Sequence, residues 1–175
     1  MPFGPGTIGI TSAPGHAELD AIASWGAAAV VTLVEQHELE ALGITWLGAE
    51  VRRRRMAWHH WPVQDYAIPD AAFEAAWPNR SAALRHALSA GGRVLIHCRG
   101  GLGRSGIIAA RLLVEHGMPP ETAIPAVRAA RPGAIETPAQ EAWVRAGAIA
   151  VATNPGCPAN VALGLSASLP VTQLD

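Results

Sequence analysis

The segment Val94–Gly106, VLIHCRGGLGRSG, constrains the fold more than any other stretch of the chain. Val94–Ile96 reads as a short buried strand, and Ser105–His116 (SGIIAARLLVEH) is apolar nearly all round before it stops at Gly117. A helix that is apolar on every side must be covered on every side, so it belongs at the centre of a domain. Between the two lie His97, Cys98 and a loop in which Gly100, Gly101 and Gly103 stand among the residues separating Cys98 from Arg104. Glycine permits the tight turns that aim successive N–H groups at one point.

The remaining pattern alternates strands with helices, which implies an α/β domain: a central, mostly parallel sheet flanked by helices. Thr7–Thr11 and the continuous apolar run Ala28–Val34 read as strands, with Met56–Trp61 a weaker third. Glu18–Trp25 and Glu35–Leu42 read as short helices that stop at Gly26 and Gly43. A helix opens after Asp70, its expected N-cap, and Pro78 should break or kink it before Arg80–Ala90 resumes. Pro119–Ala130 and Pro138–Val151 complete the helices. At 175 residues the chain holds one domain, expected over residues 1–153, with a Pro-, Gly- and Ser-containing tail over 154–175.

Composition narrows the partners. Half the residues are hydrophobic and 15% are charged, which excludes a disordered chain, and a formal net charge of −1 gives no general attraction to nucleic acid or anionic membrane. No apolar run is long enough to span a bilayer, and the N-terminus lacks a basic start followed by an apolar core. The expectation is therefore a cytoplasmic protein with no membrane and no nucleic-acid partner. Its two cysteines, Cys98 and Cys157, make no disulfide framework, and neither has the Cys or His neighbours a structural zinc site needs. No role is assigned to Cys157, and oligomeric state leaves no trace in the sequence.

Chemistry concentrates at the glycine-rich loop. Backbone donors of Arg99, Gly100, Gly101, Leu102 and Gly103, together with the start of the following helix, form a cradle for a tetrahedral dianion. Arg104 can grip two phosphate oxygens with its planar fork, which lysine cannot do. The same positive field favours the thiolate form of Cys98, the nucleophile, and Ser105 can donate a hydrogen bond to the sulfur as it leaves a phosphorylated intermediate. No metal and no cofactor is needed.

His97–Gly106 resembles the signature loop of the protein tyrosine and dual-specificity phosphatase superfamily, most of all the cyclin-dependent-kinase-associated phosphatase group and its bacterial relatives. Ile8–Gly15, His59–Asp70 and Arg131–Gln140 add to the likeness, in order, across most of Thr7–Val144. The resemblance implies a protein phosphatase acting through a phosphocysteine on phosphotyrosine, with phosphoserine and phosphothreonine as further substrates, and a phosphorylated protein or peptide as partner. It also implies a general acid on an upstream loop, at Asp65 after His60-Trp61-Pro62, with Asp70 as the fallback. Gln140 matches the family's water-orienting glutamine, His97 supports the loop without acting as a base, and Glu136 is a structural partner. A phosphoinositide phosphatase, a rhodanese-type sulfur transferase, an arsenate reductase and a non-catalytic phosphoprotein-binding module are the rival readings. The run Arg52–Arg55 reads as a solvated edge or loop, with steering of an acidic phosphoprotein as the alternative. Of Trp58 and Trp61, which flank His59-His60, at least one should be core.

Overall fold

The computed structural model describes residues 1–153, with side chains through Gly147. The tail 154–175 and Cys157 lie outside the described residues. Five strands form one sheet: β1 (Pro2–Phe3), β2 (Gly6–Thr11), β3 (Ala27–Thr32), β4 (Ala57–His60) and β5 (Arg93–His97), in the spatial order β1-β2-β5-β3-β4. β2, β5, β3 and β4 are mutually parallel, and only β1 is antiparallel. The helices are α1 (His16–Ser24), α2 (Gln36–Ala41), α3 (Leu47–Arg53), α4 (Ala71–Ser89), α5 (Gly103–Glu115), α6 (Pro120–Ala130) and α7 (Pro138–Thr153).

The central strand is β5, and Val94–His97 are buried, as a parallel strand covered on both faces requires. Its partner α5 is buried from Gly103 through Val114, packed on β2 and β5 and covered by α6 and α7. Because the four strands run the same way, Thr11, Thr32, His60 and His97 end on one edge of the sheet. The loops that follow them face one another there, the edge at which open α/β sheets hold ligands.

Three details depart from the sequence reading. β1 is a two-residue edge strand with no period of its own to announce it. α3 was also unanticipated: Arg52 and Arg53 complete this helix instead of lying in a loop. Pro78 does not break α4, which is continuous over 19 residues from its Asp70 cap. Phe73, Trp77, Ser81, Leu84 and Leu88 are buried along one face of it, so both halves are pinned by packing that exceeds the roughly 3 kcal/mol an interior proline costs.

Candidate active site

Cys98 follows β5 directly and is buried. The loop after it folds back over the end of β2, with Gly101 at φ +70, where a Cβ would lie 2.6 Å from the backbone nitrogen of Ser12. No residue with a side chain fits that approach. Two further bonds hold the loop's outer side: the Ala13 N–H donates to the Arg99 carbonyl (3.0 Å), and Arg131 Nη2 donates to the Gly100 carbonyl (3.0 Å). The first bond of the next helix runs from Gly106 N to the Leu102 carbonyl (2.9 Å). The N–H groups of Gly103, Arg104 and Ser105 therefore have no intrahelical acceptor and form the positive end of α5 beside Cys98.

Arg104 is 1% exposed, the largest side chain buried so fully. Nη1 donates to Glu38 Oε2 (2.6 Å) and to the Val63 carbonyl (3.1 Å), and Nη2 donates to Glu38 Oε1 (3.0 Å). Nη2 also lies 2.9 Å from Asp65 Oδ1. Only Nε is without a partner. Burial alone would weaken the guanidinium's hold on its proton, but the Glu38 bond and the charges of Cys98 and Asp65 outweigh it and raise its pKa. Glu38 shows the mirror case: burial pushes its carboxyl up, and the Arg104 bond more than offsets this, leaving it below the ordinary value.

Asp65 stands on the loop after β4, 44% exposed, and its Oδ1 accepts from the Tyr66 N–H (3.1 Å). With Glu35, His37, Glu38, Gln64 and Arg99 it lines a cleft of about 400 Å³. Asp70 accepts from the Phe73 N–H (2.7 Å) as the cap of α4, which leaves it a structural task. Ser105 Oγ is buried with no partner among the described residues, and no bond joins it to the Cys98 sulfur. His97 is fully buried, and burial pushes its pKa down to about 4, so its imidazole is neutral near pH 7. Gln140, also fully buried, accepts from the Glu136 N–H (2.8 Å) and donates to the Ala67 carbonyl (3.3 Å), tying the start of α7 to the Asp65 loop. One N–H and one lone pair of its amide remain, the two groups a water needs. Arg99 and Gly100 are exposed, Leu102 is half-buried, and Gly101 and Gly103 are buried.

Sequence reasoning missed the residues that hold this assembly. Glu38 reads as a first-turn acid of α2, and it does accept from the Glu35 N–H (2.9 Å) in a capping box. Nothing in its spacing announces that the same carboxylate also clamps Arg104. Arg131 opens a segment of the family likeness, but its bond to the Gly100 carbonyl has no signal outside the fold. The four arginines lie at the opposite edge, where α3 leads into the start of β4. Arg53 and Arg54 pair with Glu50, Arg54 also bonds Asp20, and Arg52 covers the Trp58 ring at 4.7 Å.

Comparison with known proteins agrees with this geometry. The family model described as PTP-SAK, the Swiss Army Knife protein's DSP-PTPase phosphatase domain, matches residues 3–144. The protein tyrosine phosphatase PRL-1 of Trypanosoma cruzi is 35% identical over 101 residues, 57% of this chain and 57% of that protein. The chain spans about half the length of the curated relatives it matches. Among solved structures, the active form of Tk-PTP superposes with a TM-score of 0.71 at 31% identity, covering 82% of this chain and 92% of that one. Kinase-associated phosphatase with its catalytic cysteine replaced by serine gives a TM-score of 0.69 at 28% identity, covering 78% and 77%. A thiol, a clamped arginine and a carboxylate gathered at the end of a parallel sheet thus coincide with a match over most of the chain: it belongs to the dual-specificity and tyrosine phosphatase family.

Proposed function

We propose that the chain is a cysteine-dependent protein phosphatase acting on phosphotyrosine, and that it reaches phosphoserine and phosphothreonine by the same steps. The Cys98 thiolate attacks phosphorus, forming an S–P bond as the P–O bond to the substrate breaks. Asp65 gives its proton to the departing oxygen, which leaves as the neutral alcohol or phenol. A water then attacks phosphorus, Asp65 takes its proton, the S–P bond breaks, and inorganic phosphate departs with the thiolate restored. The loop amides and Arg104 meet the charge on the equatorial oxygens throughout. Ser105 Oγ, buried and uncommitted, is available to the sulfur as it leaves, and the free N–H and lone pair of Gln140 suit the attacking water.

The observation that carries this reading is the state of Arg104. Glu38 and Val63 occupy three of its N–H groups, Asp65 Oδ1 stands in ion-pair contact with Nη2 at 2.9 Å, and Nε–H is open. A phosphate gripped by Nε and Nη2 must take the place of Asp65, so substrate binding frees its carboxylate, which then takes from solvent the proton that the first step delivers. The cleft favours a single phosphate on a protein chain: Arg99 and His37 face Glu35, Glu38 and Asp65, a poor match for a multiply phosphorylated inositol ring. The family match argues against the sulfur-transferase and arsenate-reductase readings, and the presence of Cys98, Arg104 and Asp65 together against a non-catalytic module. No helix among the described residues is long and apolar enough to cross a membrane. A reducing cytoplasm would keep the thiol active.

The test compares wild type with Cys98→Ser on phosphotyrosyl, phosphothreonyl and inositol-phosphate substrates. The expected result is turnover of the phosphopeptides by wild type only, with phosphate binding retained by the serine variant. An active serine variant, or a wild type inhibited by a chelator, would defeat the mechanism.

A further inference from the structure

Beneath the loop a chain of hydrogen bonds crosses three adjacent strands and ends on the nucleophile's own carbonyl. Thr32 on β3 and His97 on β5 are register partners, and Thr32 Oγ1 lies 2.8 Å from His97 Nε2. From β4, Trp58 Nε1 lies 2.8 Å from the same hydroxyl oxygen. On its other side the imidazole Nδ1 lies 3.2 Å from the Cys98 carbonyl oxygen. Thr32 and His97 are both fully buried, so no water enters to exchange these roles.

The chemistry of the donors gives the chain one direction. An indole N–H only donates, so the Thr32 oxygen accepts from Trp58; its single hydrogen has no acceptor among the described residues other than His97 Nε2 and turns toward it. Nε2 then accepts, and the proton of the neutral ring resides on Nδ1, from which it donates to the Cys98 carbonyl. That carbonyl only accepts, so both ends demand the same tautomer. Without the indole the hydroxyl is free to accept from Nε2–H instead. The bare Nδ1 lone pair would then face the Cys98 carbonyl, and the main chain at the nucleophile would be repelled by its neighbour.

We propose that Trp58 and Thr32 are positioning residues of the phosphatase site, which fix the His97 tautomer and through it the backbone of Cys98. Trp58 is itself held for this purpose. Arg52 covers one side of its ring at 4.7 Å, and His60 stacks on it with ring centroids 5.3 Å apart while its Nε2 donates to the Val34 carbonyl (2.9 Å). Gly48 of α3 lets the ring in, since a Cβ there would come within 2.5 Å of it. The first arginine of the basic run thus serves the relay by packing. The charged and titratable groups near His97 are His60 from β4 and Arg104 from α5, and both oppose a second proton on the ring. A neutral imidazole is what the relay needs.

This inference rests on the proposed phosphatase activity for its kinetic readout, but its decisive measurement does not. Nitrogen-detected NMR of the wild-type His97 side chain should show the Nδ1–H tautomer from pH 6 to 8. Trp58→Phe should give a mixture of tautomers, and Thr32→Val should uncouple the ring from β4, while Thr32→Ser should restore the wild-type spectrum. With an aryl phosphate, Trp58→Phe and Thr32→Val should each lose about three- to tenfold in kcat, with KM little changed, the scale of one neutral hydrogen bond, and Thr32→Ser should recover it. An Nε2–H tautomer in wild type overturns the proposal whatever the variants do. So does a folded Trp58→Phe with an unchanged tautomer and unchanged kcat. Absence of activity in wild type with the Nδ1–H tautomer present would instead sink the functional reading and leave the relay standing.

Discussion

Two arginine-bearing segments of this chain, Cys98–Arg104 and Arg52–Arg55, differ in nearly every physical respect. Arg104 is withdrawn from solvent, faces a buried carboxylate that grips both its Nη atoms, and keeps one N–H uncommitted. Arg53 stands with its side chain 66% exposed, paired with Glu50 one turn earlier on the same helix. Arg54 ties α3 to Asp20 of α1, and Arg52 lies on an indole. A guanidinium becomes a phosphate clamp when its neighbours hold it in place and exclude water, because attraction between charges grows as the surroundings become less polar. Four arginines in a row make a conspicuous sequence, and beyond Arg52 an ordinary surface.

The contrast is broken most forcefully at Glu38. Glu38→Gln keeps a capping acceptor for the Glu35 N–H but leaves the Arg104 charge buried without its clamp, so unfolding free energy should fall by about 3 kcal/mol. Catalytic efficiency on an aryl phosphate should fall with it, by about 100-fold, as the fork loses its aim. Glu50→Gln, the matching change in the basic run, should alter neither, by urea titration and steady-state kinetics. Equal effects at the two positions would erase the distinction.

Asp65→Asn comes next. It removes the proposed proton donor and one ion-pair partner of Arg104, and should slow turnover of phosphates with poor leaving groups by roughly 100-fold while hardly changing those with good ones. A uniform loss across leaving groups would assign Asp65 to binding alone.

The His97 side is sharpened by pH. Its folded pKa, about 4, lies below the unfolded value of 6.5, so the unfolded chain takes up a proton first as pH falls. His97 therefore costs nothing above pH 6.5 and destabilises the fold progressively from there to about 4, by up to about 1.4 kcal/mol per pH unit. Half-buried His59 shifts in the same direction, whereas Glu38 loses its contribution only below its ordinary carboxylate range. The difference between wild type and His97→Asn in thermal unfolding against pH isolates the buried ring; identical slopes would mean that it is not buried neutral.

The smallest effect is expected at the basic run. Replacing Arg53, Arg54 and Arg55 by serine, and sparing Arg52 beneath the relay, should leave kcat/KM on a phosphopeptide within twofold and its salt dependence unchanged. A steep loss at low salt would revive steering from this edge.

Much of this was legible from residues alone. The strand, glycine loop and all-round apolar helix determined both the centre of the fold and the place of Cys98 in it, because burial on every side and tight turns are written in residue type. Asp70 announced its cap, Cys98 and Arg104 could be named from their offset around the glycines, and Asp65 only from the family resemblance. What only the tertiary structure decided is what each charged group faces. Glu38, a helix-start acid by sequence, meets Arg104 because parallel strands bring the ends of β3 and β5 side by side. Pro78 sits in an unbroken helix because packing overrides a local preference. Thr32, Trp58 and His97 come from three distant segments, and the direction of their hydrogen bonds exists only once the strands are in register. Turns, caps and apolar periods are local properties and survive in one dimension; the partner of a buried charge is a property of the assembled sheet.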